Sequence, residues 1–257
     1  MSMFPRGGMF VAWTNAWLYG RASLDEADVH TVAGDALHRI VGLESPDDND
    51  PDEPLALSIG LSRLRSQGTT SLRLVLPIPG DALGLPGPRD FNEAAIHARE
   101  AVIAAGPEPI GFVPAVASSP AGTVVRWDVS TINADVSVPR GRVSEYERDL
   151  AEAMRDTTAT LEMLDLAKDR ADLALRLQRI DDEVRHLEFP PTLGPRHRRL
   201  ISTATRLASI LAWAAQDDGA AASSSQAQAR TEALAPMAAA ARRALSTGYS
   251  ARPTDDD

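Results

Sequence analysis

The chain has 257 residues, 44% of them apolar, a formal charge of -10 and no cysteine. That charge weighs against nucleic acid or an anionic membrane as a partner. The missing cysteine excludes disulfides, thiolate nucleophiles and Cys-ligated metal centres.

The length suits one large domain or two small ones, each with room for a core. No stretch reaches the roughly 18 apolar residues that span a bilayer, and the best approach, Leu200 to Ala215, carries Arg206 in its middle. Residues 9–20 have the length of a signal-peptide core, but Asn15 and two tryptophans fit poorly and no A-x-A site follows, so a cytoplasmic location is expected. Lys168 is the only lysine, and Asp165, Asp169 and Asp172 around it read as ion-pair partners rather than as a Schiff-base site.

Residues 1–8 read as frayed. Phe10, Trp13 and Trp17 then share one face of a helix that Gly20 would close. Ser23 and Glu26 have the spacing of a capping box for a short second helix. Leu37 to Leu43 reads as a strand, followed by an acidic loop over 44–54 that lacks the glycine and glutamate of an EF-hand. Pro54 would begin a helix to Gln67 with Leu57, Leu61 and Leu64 inward, and Gly60 would let it lie close to a sheet.

Leu72, Leu74, Leu76 and Ile78 share a strand face with Val75 opposite, so both faces should be covered. After a Gly/Pro loop, Asp90 and Glu93 would cap a helix ending near Ala105. Ile110 to Val116 is a further strand, which Pro114 pushes toward an edge or an early end. Val125, Trp127 and Val129 alternate with Arg126 and Asp128 as a half-exposed strand. This order predicts a small mixed, mainly parallel sheet with flanking helices over residues 1–142.

From 143 to 250 the periodicity predicts an antiparallel three-helix bundle, with an acidic tail over 251–257. Ser144 and Glu147 would open its first helix, whose apolar frame slips at KDRAD between Leu164 and Leu173. The second helix carries Leu200, Leu207, Ile210 or Leu211, and Ala214. The third carries Leu234, Met237, Ala241 and Leu245 about Pro236.

Two places carry the candidate chemistry. The strand-to-helix loop over 77–92 offers Gly80, Asp81, Gly84, Gly87, Arg89 and Asn92, whose backbone amides and guanidinium suit an anion. Its glycine spacing is neither the dinucleotide fingerprint nor a P-loop, and Asp90 would repel an anion. At the tip of the bundle, Arg185, Arg196, His197, Arg198 and Arg199 would present positive charge to an acidic partner, with Asp181, Asp182, Glu183 and Glu188 nearby to neutralise it. The five histidines show no metal-ligand spacing, and GLSRL at 60–64 breaks the serine-elbow pattern at its last position. No catalytic set, metal or cofactor is expected.

The run GLSRLRSQGTTSLRLVLPIPGDALGLPGPRDFNEAA over 60–95, with PRHRRLISTATRLASILAWAAQDDG over 195–219, resembles a family of actinobacterial conserved hypothetical proteins. The resemblance implies a bacterial, cytoplasmic protein and brings no activity or site residue with it. The residues themselves favour a non-enzymatic interaction or regulatory protein that uses its helical bundle to hold a protein partner, with self-association open. The alternative is an anionic-metabolite binder or enzyme using the 77–92 loop.

Overall fold

A computed structural model describes residues 4–32, 34–44, 53–133, 141–163, 171–216 and 224–251. They form two compact units. The α/β unit takes described residues up to 133 together with 189–194 and 249–251, and the helical unit takes 141–188 and 195–248. The acidic loop at 45–52, Lys168 with its aspartates, the KDRAD frame slip and the acidic tail lie in whole or in part outside the described residues.

The α/β unit opens on α1 (Arg6–Leu18) and α2 (Leu24–Val32), then β1 (Leu37–Val41), β2 (Leu55–Ala56) and α3 (Leu57–Ser66). It continues with β3 (Ser71–Val75), α4 (Arg89–Ala98), β4 (Ala101–Ala105), β5 (Ile110–Ser119) and β6 (Gly122–Thr131). The six strands form one sheet in the order β2-β1-β6-β5-β4-β3.

The expected mainly parallel sheet is corrected: only β1 and β6 are parallel, and every other neighbouring pair is antiparallel. The cause is Ala101 to Ala105, read from sequence as the end of a helix. Arg99, left-handed at φ 59°, stops α4 after Ala98. The Glu100 amide donates back to the Ala95 carbonyl at 3.2 Å, and the chain turns into β4. Alanine favours a helix when nothing else decides. Here Ala101 to Ala104 are buried on alternating faces of the sheet, and burial decides.

Every residue from Gly7 to Trp17 is buried, so α1 is the central element of its face rather than an arm. Phe10 meets the edge of Phe112 at 5.5 Å and lies 4.8 Å from Trp127. Asn15 on the same helix serves the backbone of edge strand β3. Its Nδ2 donates to the Leu72 carbonyl at 2.9 Å, and its Oδ1 accepts from the Leu72 amide at 2.7 Å. Farther along this strand the Leu74 amide donates to Ser250 Oγ at 2.9 Å. On the opposite face, Phe91 and Ala95 of α4 pack with Val75, Ala101, Ile103 and Ile132.

Several local expectations hold. Ser23 and Glu26 form the reciprocal capping box, with the Ser23 amide donating to Glu26 Oε2 at 2.7 Å. A Cβ at Gly60 would stand 2.5 Å from Ile40 Cδ1, so glycine does set the approach of α3 to β1. Other caps shift. α3 begins at Leu57 after a two-residue strand, not at Pro54. α4 follows the cis Gly87–Pro88 bond without a side-chain cap, and Glu93 pairs with Arg89 instead.

The expected three-helix bundle is also corrected. The helical unit holds four helices among the described residues: α5 (Val143–Met163), α6 (Ala171–His186), α7 (Pro195–Gln216) and α8 (Ser224–Tyr249), the last leaving the unit after Gly248. Glu147 of α5 bonds Arg196 at the start of α7, and Asp181 of α6 lies 3.4 Å from Arg206 of α7. An unbroken helix would separate Glu147 from Asp181 by about 50 Å, whereas Arg196 and Arg206 are only about 15 Å apart along α7. α5 and α6 are therefore separate helices that both pack against α7. Leu150, Ile180, Leu200, Leu207, Leu211, Leu234, Met237, Ala241 and Leu245 are buried, as their periodicity required.

Candidate functional site

A polar cluster of the α/β unit gathers at the start of α1, from residues that no sequence motif brings together. Arg6 donates through Nε to Asp35 Oδ2 at 2.8 Å and through Nη2 to Oδ1 at 3.1 Å. His38 Nε2 also donates to Asp35 Oδ2, at 3.1 Å. Its Nδ1 accepts the indole N–H of Trp127 at 3.3 Å, which assigns the Nε2-protonated tautomer. Burial pushes the Asp35 carboxyl up, but the bonds from Arg6 and His38 outweigh it and hold the group below its ordinary range. Burial pushes the His38 imidazole down, against the pull of Asp35.

Glu100 completes the cluster. Its carboxylate accepts the backbone N–H groups of Gly7 and Arg6, the first-turn amides of α1 that have no partner within the helix. A Cβ at Gly7 would stand 2.7 Å from Glu100 Oε1, and one at Gly8 would stand 2.9 Å from the Tyr249 ring. The RGG opening is thus a close-packing device, not the frayed end expected from sequence. Burial pushes the Glu100 carboxyl up to about 7, against the two amides and the Arg6 charge. The Tyr249 hydroxyl is buried without a hydrogen-bond partner, and burial, then the Glu100 charge, raises its pKa.

Asp35 orients His38 as a carboxylate orients a catalytic imidazole. The comparison ends at Nδ1. A general base needs that lone pair within reach of a substrate proton, but Trp127 occupies it and His38 is 1% exposed. The cluster is a closed polar core. No local motif could have announced it, because Gly7 and Glu100, which bond each other, are 93 positions apart.

The 77–92 loop is firmly built. Gly80, Gly84 and Gly87 all have positive φ, as does Leu83. Leu83 and Leu85 turn inward against the core beneath α4. The Gly84 carbonyl accepts from Arg73 at 2.9 Å, and the Gly87 amide donates to Asn92 Oδ1 at 2.9 Å. Asp81 bridges back to Ile78 through both backbone groups. Arg89, 87% exposed, pairs with Glu93 at 2.6 Å. Gly80, Asp81, Gly84 and Gly87 therefore lie in the loop and Arg89 and Asn92 at the start of α4, with the amide of Gly87 and the side chain of Asn92 engaged with each other.

At the tip of the helical unit, Arg185 pairs with Asp182 at 2.7 Å and Arg196 with Glu147 at 2.8 Å. Arg198 and Arg199 are exposed on the first turns of α7, whereas His197 is buried at 3% exposure. Among the described residues no group of three or more His, Asp or Glu could hold a metal ion. No helix among them is long and apolar enough to cross a membrane. An open groove of about 500 Å³ lies between α2 and α3, lined by Leu24, Ser58, Ile59, Ser62, Arg63 and Ser66.

The Rv1486c-like protein N-terminal domain matches residues 8–142, more than half of the chain, and the Rv1486c-like protein C-terminal domain matches 144–246. The chain belongs to the Rv1486c-like family. Its similarity extends to two Mycobacterium tuberculosis relatives, Uncharacterized protein MT1533 of strain CDC 1551 / Oshkosh and Uncharacterized protein Rv1486c of strain ATCC 25618 / H37Rv. Each is 28% identical over 274 positions, covering 93% of this chain and 94% of the relative. Uncharacterized protein MAV321 of Mycobacterium avium is 29% identical over 120 positions, 40% of this chain and 39% of that one. No solved structure matches. The resemblance to an actinobacterial family is therefore shown, and the Rv1486c-like relatives bring no activity with them.

Proposed function

We propose that this Rv1486c-like protein is a non-enzymatic interaction protein whose helical unit holds an acidic protein partner through the start of α7. The observation that carries this reading is the closure of the Asp35–His38 pair. Its free nitrogen is taken by Trp127 in a dry core, so the best-formed proton-transfer geometry in the α/β unit has no access to a substrate. Arg198 and Arg199 are exposed at the start of α7 on a chain of net charge -10. An exposed guanidinium can take up a partner's carboxylate, so recognition would rest on Arg198 and Arg199.

The test is capture with the full chain as bait, comparing the natural protein with the double reversal Arg198→Glu, Arg199→Glu. Both side chains are exposed, so the helix should persist by circular dichroism. The expected result is a partner recovered by the natural chain in a salt-sensitive manner and lost with the reversed one. A partner held equally by both would overturn the reading.

A further inference from the structure

Strand β5 is longer than the sheet that supports it. β4 pairs with only Ile110, Gly111 and Phe112, while β6 follows β5 to Ser119. Pro114 accounts for the difference. Continuing the register would set Pro114 against Glu100, and proline has no N–H for that ladder. Among the described residues, the β5 backbone from Val113 to Ser118 makes no hydrogen bond outside its ladder with β6. The bare edge is also exposed: Val116 is 51% accessible, and Ala117, Ser118 and Ser119 are open to solvent.

Natural sheets guard such edges with charge, bulges or coverage. β3, at the end of this sheet, is covered by Asn15 and Ser250. The β5 overhang has Pro114 as a guard at one end, and the five residues beyond it, AVASS, carry no charge.

We propose that Ala115–Ser119 is a self-association edge, on which two copies of the chain pair antiparallel about a two-fold axis through Ala117. An antiparallel strand is complementary to its own copy, because each outward N–H meets the copy's carbonyl. With the axis at Ala117, Val116 lies opposite Ser118 of the second copy and Ala115 opposite its Ser119. Pro114 then falls outside the paired stretch, and the small Ala117 side chains meet where the backbones come closest.

The edge is uncharged, so the mutual repulsion of two chains of -10 is least where these strands meet. On the neighbouring strand Arg126 and Asp128 neutralise each other at 2.7 Å. A five-residue strand pair buries little, in the class below about 1,200 Å² where encounters are transient. The dimer is therefore concentration-dependent.

The test uses the full chain in two measurements. Sedimentation equilibrium from micromolar to millimolar protein should show a monomer–dimer equilibrium. Amide exchange of the unmodified chain should show protection at Val116 and Ser118 that rises with concentration. Ala117→Lys sets two ammonium groups across the axis and should weaken association at least about tenfold, while Ala117→Ser should leave it intact. A monomer throughout the range, a dimer indifferent to Ala117→Lys, or exchange at 113–119 unaffected by concentration would each overturn the proposal. Protection that appears only when a different protein is added would overturn it too, by making the occupant a foreign strand. The exchange arm decides the matter even if the lysine variant folds poorly.

Discussion

Glu100 is pulled two ways by its surroundings. The first-turn amides of α1 and the Arg6 guanidinium favour its anion, while burial favours the acid and prevails, lifting the carboxyl to about 7. Because the folded value lies above the ordinary 4.5, this group's stabilisation is complete below pH 4.5 and is lost as pH rises through about 7. The ceiling is about 3 kcal/mol, lowered by the partial exposure of the residue. His38 and Asp35 act in the opposite direction, since both are depressed: their contributions are present at neutral pH and fade with acid. The useful quantity is thus the difference between the natural chain and Glu100→Gln in urea unfolding from pH 5 to 8. That difference should move in favour of the glutamine form as pH rises, and a constant offset would show that Glu100 does not titrate in this window. None of this was legible from residues 1–8, where Gly7 and Gly8 looked like disorder. A glycine pair that admits a carboxylate and a tyrosine ring reads the same as one that admits nothing, until Glu100 and Tyr249 are placed against it.

At the level of elements, periodicity succeeded where one face decides and failed where two compete. Leu57, Leu61 and Leu64 mark α3 because they meet its core in a single stripe, and Phe10, Trp13 and Trp17 mark α1 although it is buried on every side from Gly7 to Trp17. Ala101 to Ala105 failed because a strand buried on both faces shows no alternation, and alanine carries a helical preference besides. Pro114 is expected to push its strand toward an edge or an early end; β5 instead lies between β6 and β4 and runs to Ser119, although its pairing with β4 stops at Phe112. Asn15 had been weighed only as a misfit in an apolar run, yet it serves β3 as a further strand would. Asn15→Ala leaves the Leu72 amide and carbonyl buried without partners, a loss of about 1–3 kcal/mol. It should appear as a lower urea midpoint at unchanged slope, and a shift of a few tenths of a kcal/mol would show that water replaces the amide without cost.

On the scale of the whole molecule, the Rv1486c-like domain matches meet near residue 143, but the α/β unit does not end there. It takes back 189–194 and 249–251 from beyond the helices. Tyr249 lies against Gly8, and Ser250 serves the Leu74 amide across 176 positions of sequence. Sequence could not show this, because a tyrosine and a serine at the end of a helical run carry no sign of the sheet they belong to. A fragment of residues 1–142 should consequently melt well below the full chain, or without cooperativity, by circular dichroism; a melt matching the full chain would show the returning residues to be ornamental. The same feature bears on how the protein is made. On the ribosome the six strands emerge long before their last lining residues, so the first unit to be synthesised is among the last to be completed. Until Tyr249 and Ser250 leave the exit tunnel, the nascent sheet keeps an unfinished side.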